Sequence, residues 1–232
     1  LTGEFVRPYL GLSMGEAGQI LSRAIDEADG LPVGDTNTGG DWIQSLDPVL
    51  GRRVRYAGWD LAPLYSPLSV FEGATITVGV APDCAFDVVA DTLQQARSTI
   101  SVEVYSLRHP TLIQMLVDNA RQGVNVSVLL EGDPVGLGAN SPEWQTELYA
   151  CQELEAAGGA CWFMVHDPDA GYFQRYLYLH AKMIIVDGAQ VIVSTQNLTP
   201  DGMPADDKAN GTYGSRGIVL VIDAPSVVQR AA

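Results

Sequence analysis

From about residue 74 onward, the apolar positions alternate between a period of two and a helical period, so they predict strands that alternate with helices. The strands are predicted at 74–80, 100–105, 124–130 and 161–164, and the helices at 85–97, 110–123 and 142–157. This βαβαβαβ order favours an α/β fold with a mixed or parallel β-sheet between helical layers, and of the two we take a mixed β-sheet sandwiched between helices as the fold class. In such folds the functional side chains lie at the ends of the strands.

Residues 1–73 have a different pattern, and we expect them to form an irregular leader or the tail of a preceding module. Gly, Pro, Asp and Asn cluster at 30–41 and interrupt every periodic run there. Only the apolar residues of 14–28 recur at helical spacing, so this stretch is predicted to be a helix. We therefore divide the chain into an irregular segment, 1–73, and a folded domain, 74–232.

Two apolar strands surround Asp187-Gly188, a dipeptide that favours a two-residue hairpin turn. In that register residue 186 faces 189, and the pairs 184–191, 182–193 and 180–195 follow. Because side chains alternate with a period of two, one face and one end of the hairpin would then carry His180, Lys182, Thr195 and Asn197.

This set of side chains suits phosphoryl chemistry. A neutral imidazole can attack phosphorus or accept a proton, while Lys182 and Asn197 can donate hydrogen bonds to phosphate oxygens. Lysine is otherwise almost absent, because only Lys182 and Lys208 occur in the chain. The placement of one of them two residues after one of only three histidines favours a functional role over a stray surface residue.

The spacing of this segment resembles the HKD signature of the phospholipase D superfamily. The match consists of His180 and Lys182 with one residue between them, Asp187 after four further residues, and Ser194-Thr195-Gln196-Asn197 after six more. The segments 96–107 and 116–130 also resemble the first strand, the helix and the second strand of such domains. The resemblance covers about 74–225.

The resemblance implies a role for each matching residue. His180 is the nucleophile that forms a phosphohistidine, or else the partner that protonates the leaving oxygen. Lys182 and Asn197 hold the phosphate, and Ser194 or Thr195 assists through hydroxyl or backbone donors. Asp187 either belongs to the catalytic network or only caps the turn. The mechanism requires no metal and no other cofactor.

One expected element is missing, because family active sites combine two HKD motifs across a pseudo-twofold axis and this chain contains one. His109 and His166 lack the lysine and asparagine spacing. Either two copies pair as a homodimer, or the chain is the first half of a longer protein. The start at Leu1 without a methionine favours the second origin.

A second departure concerns the acidic residue that orients the histidine in many relatives, because this sequence has Arg216 in that region. We take Glu103 as the candidate acceptor, since it shares a strand face with Ser101 and Tyr105. An ion pair between Glu103 and Arg216 is the alternative. Arg216 is also a candidate for binding the substrate phosphate.

The net charge of the chain affects which class of substrate we expect. Its 13 Lys and Arg residues against 28 Asp and Glu residues give a net charge of -15, which repels polyanions at long range. We therefore favour a phospholipid phosphodiester, with peripheral membrane contact and with hydrolysis or head-group transfer as the reaction. The aromatic residues before the motif either line a substrate entrance or pack in the core; they are Tyr172, Phe173, Tyr176 and Tyr178. One alternative is a dimeric HKD nuclease with a basic channel of Arg175, Lys182, Lys208 and Arg216. The other is a non-catalytic module that only binds or dimerises.

Cysteine content and apolar runs add two expectations. Cys151 and Cys161 either form a disulfide across a helix-to-strand connection or are, with Cys84, small buried apolar residues. The longest apolar runs, 183–186 and 218–222, are far shorter than the ~20 residues of a membrane span.

The excess of Asp over Glu and the scarcity of Lys favour an extracellular or cell-envelope location, although GC-rich genomes produce the same bias.

Overall fold

The computed structural model describes residues 19–23, 42–46, 66–132, 134–136, 141–164, 178–206 and 213–232. The elements in these parts of the chain are, in order, β1 (Gln19–Arg23), β2 (Trp42–Leu46), β3 (Ile76–Ala81), α1 (Ala85–Gln94), β4 (Thr99–Val104), α2 (Pro110–Arg121), β5 (Asn125–Glu131), α3 (Pro142–Ala156), β6 (Ala160–Met164), β7 (Lys182–Val186), β8 (Gln190–Ser194), β9 (Gly217–Ile222) and α4 (Pro225–Ala231).

Strands β3 to β9 form one mixed sheet of seven strands in the order β3-β9-β8-β7-β4-β5-β6. Strands β4, β5 and β6 run parallel to each other, whereas β7, β8, β9 and β3 join by antiparallel pairing. The parallel half comes from the predicted alternation of strand and helix, because parallel neighbours need a crossover connection.

Helices α1, α2 and α3 cover one face of this sheet, and α4 packs on the other. Alternate residues of the central strands, such as Val128 on β5 and Ile184 on β7, belong to the large core with the first three helices. The intervening Ile185 packs instead with Val228 of α4. The predicted α/β fold, a mixed sheet between helices, is therefore confirmed.

The predicted helix over 14–28 was wrong where the structure describes it. Gln19–Arg23 is a strand that pairs antiparallel with Trp42–Leu46 in a separate two-stranded sheet. A run as short as Ile20-Leu21 fits either period, and its hydrogen-bonding partner lies far along the sequence, outside the window in which periodicity is counted. The rest of the irregular segment up to residue 65 lies outside the described residues.

The hairpin between β7 and β8 has the predicted turn but not the predicted register. Asp187 and Gly188 both have positive φ, 55° and 61°, and the Ala189 N–H donates to the Val186 carbonyl. Pairing resumes only at Gln190, which faces Val186, so three residues connect the strands. Both strands are rich in apolar residues on both faces, and the hydrophobic pattern therefore does not fix their register.

This shift changes which side chains lie side by side. Met183, and not Lys182, faces Val193 across the hairpin. Because side chains alternate along each strand, the register places Lys182 and Thr195 on opposite faces. The predicted common face for these two residues was therefore wrong.

The structure decides between the two alternatives for the cysteines. Cys151 of α3 and Cys161 of β6 form a disulfide with a Cα–Cα distance of 5.4 Å, and Cys84 is free. No helix in the described parts of the chain is long and apolar enough to span a bilayer.

Candidate active site

One edge of the seven-stranded sheet collects most of the candidate residues. Val104 at the end of β4 pairs with Lys182 at the start of β7, and Ser194 at the end of β8 pairs with Val219 near the start of β9. The carboxyl ends of the parallel strands meet at this same edge, where β5 ends at Glu131. The topology therefore brings residues from distant parts of the sequence to one place.

His180 and Lys182 lie together at this edge against Tyr105. The His180 ring is exposed and packs edge-on against the Tyr105 ring, with 5.3 Å between centroids. The Lys182 ammonium lies 5.4 Å from the centre of the same ring and donates a hydrogen bond of 3.0 Å to the His180 carbonyl. Burial lowers the pKa of Lys182, and its charge is less screened there than in bulk water.

Asn197 lies in the loop that follows β8 at the same edge. Its amide oxygen is buried and makes no hydrogen bond to any of the described residues. The next residue, Leu198, forms a parallel bridge with Leu107, which fixes the position of Asn197 along the edge. This unpaired amide oxygen can accept a hydrogen bond from a ligand donor, whereas only the amide nitrogen of Asn197 could donate to a phosphate oxygen.

The hydroxyl groups of Ser194 and Thr195 are already used to shape this loop. Ser194 Oγ accepts from the Gln196 N–H at 2.8 Å and donates to the Gln196 carbonyl. Thr195 Oγ1 accepts from the Ile218 N–H at 2.9 Å, which ties the loop to β9. Their geometry is that of structural residues, and a role in binding substrate remains a prediction.

Glu103 and Arg216 do not form the ion pair considered as an alternative. No salt bridge joins them, although both belong to the described residues. Glu103 lines a cavity of about 850 Å³ that also reaches His180 and Met183, and burial raises the pKa of its carboxyl. Arg216 is exposed, and its carbonyl accepts a hydrogen bond from the Gln196 side chain.

Asp187 lies at the opposite edge of the sheet, at the far end of β7 from Lys182. Its carboxylate accepts hydrogen bonds from the N–H groups of Arg97, Ser98 and Thr99 and from the Ser98 hydroxyl. Burial opposes ionisation, but these hydrogen bonds outweigh it and hold the pKa of Asp187 at about 2. The structure therefore favours the turn-capping role for Asp187.

Three residues that the sequence analysis did not select complete the surroundings of the site: Tyr105, Glu131 and Glu147. Glu131 accepts a hydrogen bond of 2.5 Å from the Leu179 N–H, next to His180. Glu147 is fully buried on α3. The sequence of α3 could have indicated Glu147, because a carboxyl is unexpected in the inward-facing helical stripe formed by Trp144, Glu147, Leu148 and Cys151.

Some candidates fall outside the described residues. They are Tyr172, Phe173, Arg175, Tyr176 and Lys208, so most of the predicted entrance and half of the predicted basic channel are not described. His109 is buried, caps α2 through its ring nitrogen and stacks on Phe86. Within the described part of the chain, no group of acidic, histidine or cysteine residues could hold a metal ion.

Comparisons with known proteins support this architecture. The model of the family described as "Cardiolipin synthase, PLD-like domain" matches residues 89–231. Among solved structures, Nuc, a phospholipase D family member from Salmonella typhimurium, is similar at 18% identity with a TM-score of 0.53, over 68% of this chain and 90% of that chain. NucT from Helicobacter pylori is similar at 13% identity with a TM-score of 0.53, over 68% of this chain and 91% of that chain.

The search of curated proteins found no match to this sequence. At these levels of identity the similar structures show the fold alone, whereas the family model matches more than half of the chain. The chain therefore belongs to the PLD-like domain family, within the phospholipase D superfamily.

Proposed function

We propose that this chain is a phosphodiesterase that cleaves or transfers a phosphodiester head group through a phosphohistidine on His180. The observation that carries the proposal is the arrangement at one sheet edge, where the exposed His180 ring and the partly buried Lys182 ammonium both lie against the Tyr105 ring. Membership of the PLD-like domain family supports the same reaction class.

In the proposed first step, a His180 ring nitrogen attacks phosphorus, so that a P–N bond forms while the P–O bond to the leaving group breaks. Lys182 and Asn197 donate hydrogen bonds to the non-bridging oxygens, which carry the developing charge. In the second step, water or an acceptor alcohol attacks phosphorus, the P–N bond breaks and the ring nitrogen is regenerated.

A second acid and base is needed to protonate the leaving oxygen and later to take the proton from water. His109 does not fill this role, because it is 3% exposed and its ring nitrogen caps α2. We propose that a second HKD half supplies the group, from a second copy of the chain or from a longer protein. A homodimer would place one His180 on each side of the phosphate.

We propose a phospholipid rather than a nucleic acid as the substrate. The net charge of -15 disfavours long polyanions. The cavity next to His180 has apolar lining residues, including Leu68, Met164 and Met183, which suits a substrate with an apolar portion.

The test measures the mass of the chain in solution together with release of p-nitrophenol from bis(p-nitrophenyl) phosphate, for wild type and His180→Ala. Since His180 is exposed, the variant should fold normally while activity falls about 10³-fold or more. Phosphatidylcholine vesicles and single-stranded DNA then separate the substrate classes, because turnover of DNA should fall steeply with salt. A dimer with full activity in His180→Ala would refute the proposed nucleophile.

A further inference from the structure

Glu147 is buried beneath the candidate site in a position where a carboxyl is costly. It lies on α3 with no exposed surface, and burial raises the pKa of its carboxyl to about 7 despite opposing hydrogen bonds and the nearby Arg108. An apolar side chain of the same size would avoid this desolvation cost. A buried carboxyl of this kind calls for an explanation in the contacts that it makes.

Those contacts hold the chain segment that directly follows β4. Oε1 of Glu147 accepts a hydrogen bond of 2.5 Å from the Ser106 hydroxyl and one of 3.2 Å from the Leu107 N–H. Arg108 adds a third contact, because its Nε donates to Ser106 Oγ at 3.0 Å and lies 4.0 Å from Oε1. We call residues 105–109 the bridging segment.

The bridging segment contacts both halves of the candidate site. On one side, the Tyr105 N–H donates to the Ala181 carbonyl at 3.1 Å, one residue after His180. On the other side, the Leu198 N–H donates to the Ser106 carbonyl at 3.1 Å, one residue after Asn197.

The second of these contacts is reinforced by two more hydrogen bonds. The Arg108 and His109 N–H groups donate to the Leu198 carbonyl at 2.8 and 2.9 Å. Glu147 therefore holds the bridging segment, and the backbone of this segment is hydrogen-bonded both to the residue after His180 and to the residue after Asn197.

Glu131 is the other buried carboxyl near Glu147, and its charge disfavours ionisation of Glu147. It accepts from the Leu179 N–H, directly before His180. The charged groups that face Glu147 are thus Arg108 and Glu131, and both contact residues that adjoin the site.

We propose that Glu147 is a positioning residue, which acts as a hydrogen-bond acceptor and through the bridging segment sets the relative positions of His180 and Asn197. This role rests on the proposed function of that edge as a phosphodiesterase site. Glu147 touches no substrate in this scheme, so its loss should lower kcat more than it raises KM.

The first experiment compares Glu147→Leu and Glu147→Gln in hydrolysis of bis(p-nitrophenyl) phosphate, at a temperature where circular dichroism shows each protein folded. We expect Glu147→Leu to lower kcat about 10- to 100-fold, with KM changed much less. Glu147→Gln should restore kcat to within about 3-fold of wild type, because its amide oxygen accepts the same two hydrogen bonds. If the glutamine variant loses as much kcat as the leucine variant, acceptance by Oε1 is not the mechanism.

Leu154→Ala is the matched control, because Leu154 is a buried residue of the same helix, seven positions after Glu147 and near the end of α3. It should lower the melting temperature but leave kcat unchanged. An equal fall of kcat in this control would mean that general destabilisation explains the effect. Should Glu147→Leu fail to fold, Ser106→Ala removes the donor at the other end of the bond and is expected to lower kcat in the same direction.

Amide hydrogen exchange separates failure of this inference from failure of the proposed function. If the wild-type protein is inactive, the proposed function fails, but exchange can still be measured. Faster exchange at Leu198 and His109 in Glu147→Leu than in Leu154→Ala, at matched stability, supports the positioning role. Equal exchange in the two variants would overturn it.

Discussion

The backbone N–H of Thr99 donates a hydrogen bond of 2.9 Å to the carboxylate of Asp187, at the edge of the sheet opposite to His180. This contact joins the hairpin turn to the start of β4. Asp187 therefore links two central strands, while Lys182 lies at the other end of β7 and His180 lies just before it.

Asp187→Asn should lower the stability of the protein without changing its phosphodiesterase activity. The amide loses the charge that strengthens four hydrogen bonds, and we expect a loss of about 1–2 kcal/mol in the free energy of unfolding because the group is partly exposed. Urea denaturation measures this loss, and hydrolysis of bis(p-nitrophenyl) phosphate at low temperature measures the activity. A fall in kcat of the folded variant would show a catalytic role instead.

The difference in stability between wild type and Asp187→Asn should depend on pH in one direction. The pKa of Asp187 is lowered from 3.8 to about 2 in the folded protein, so its contribution to stability is present above about pH 4 and is lost as the pH falls toward 2. Wild type and Asp187→Asn should therefore converge in stability near pH 2. A difference that stays constant from pH 6 to pH 2 would contradict the assignment.

Lys182→Met should lower kcat/KM about 10²- to 10³-fold, because it removes a charged donor for the phosphate oxygens. Burial lowers the pKa of Lys182 from its ordinary value of 10.5, so the ammonium loses its proton at a lower pH than an exposed lysine. The alkaline loss of wild-type activity should accordingly begin below pH 10.5. Lys182→Arg is the matched variant.

In Lys182→Arg the alkaline limb should move to higher pH, since a guanidinium stays protonated. Activity in this variant should be partly retained. An unchanged alkaline limb would mean that another group causes it.

The sequence predicted the sheet and its polar edge because both depend on local periodicity and on the spacing of one motif. The hairpin register could not be predicted, because Ile184, Ile185, Val191 and Ile192 provide buried side chains in either register. Glu131 and Glu147 escaped selection for a different reason. Their partners, Leu179 and Ser106, are distant in sequence and become neighbours only when β5, α3 and β4 assemble.

Removing the disulfide should destabilise the domain. Cys151 and Cys161 are separated by 10 residues, and closing a loop of this size contributes about 2–3 kcal/mol in the chain-entropy model. Cys151→Ser with Cys161→Ser should lower the free energy of unfolding by that amount, and a reducing agent should have the same effect on wild type. Cys84→Ser is the control, because Cys84 is free. Insensitivity of wild type to reductant would show that the bond does not form in solution.

The buried Glu147 predicts that stability declines as the pH rises from acidic to neutral. Its pKa is raised from 4.5 to about 7 in the folded protein, so between these values the folded state binds more protons than the unfolded state, and the free energy of unfolding falls as the pH rises. Glu147→Gln does not titrate and keeps the acceptor oxygen. Relative to wild type it should therefore gain about 3 kcal/mol of stability between pH 4.5 and pH 7, and nothing further above pH 7.

Urea denaturation at several pH values measures this gain. The Glu147→Gln curve should diverge from the wild-type curve as the pH rises. A Glu147→Gln curve that stays parallel to wild type would mean that Glu147 titrates at the pH of an ordinary carboxyl, and that α3 carries it without the desolvation that its burial implies.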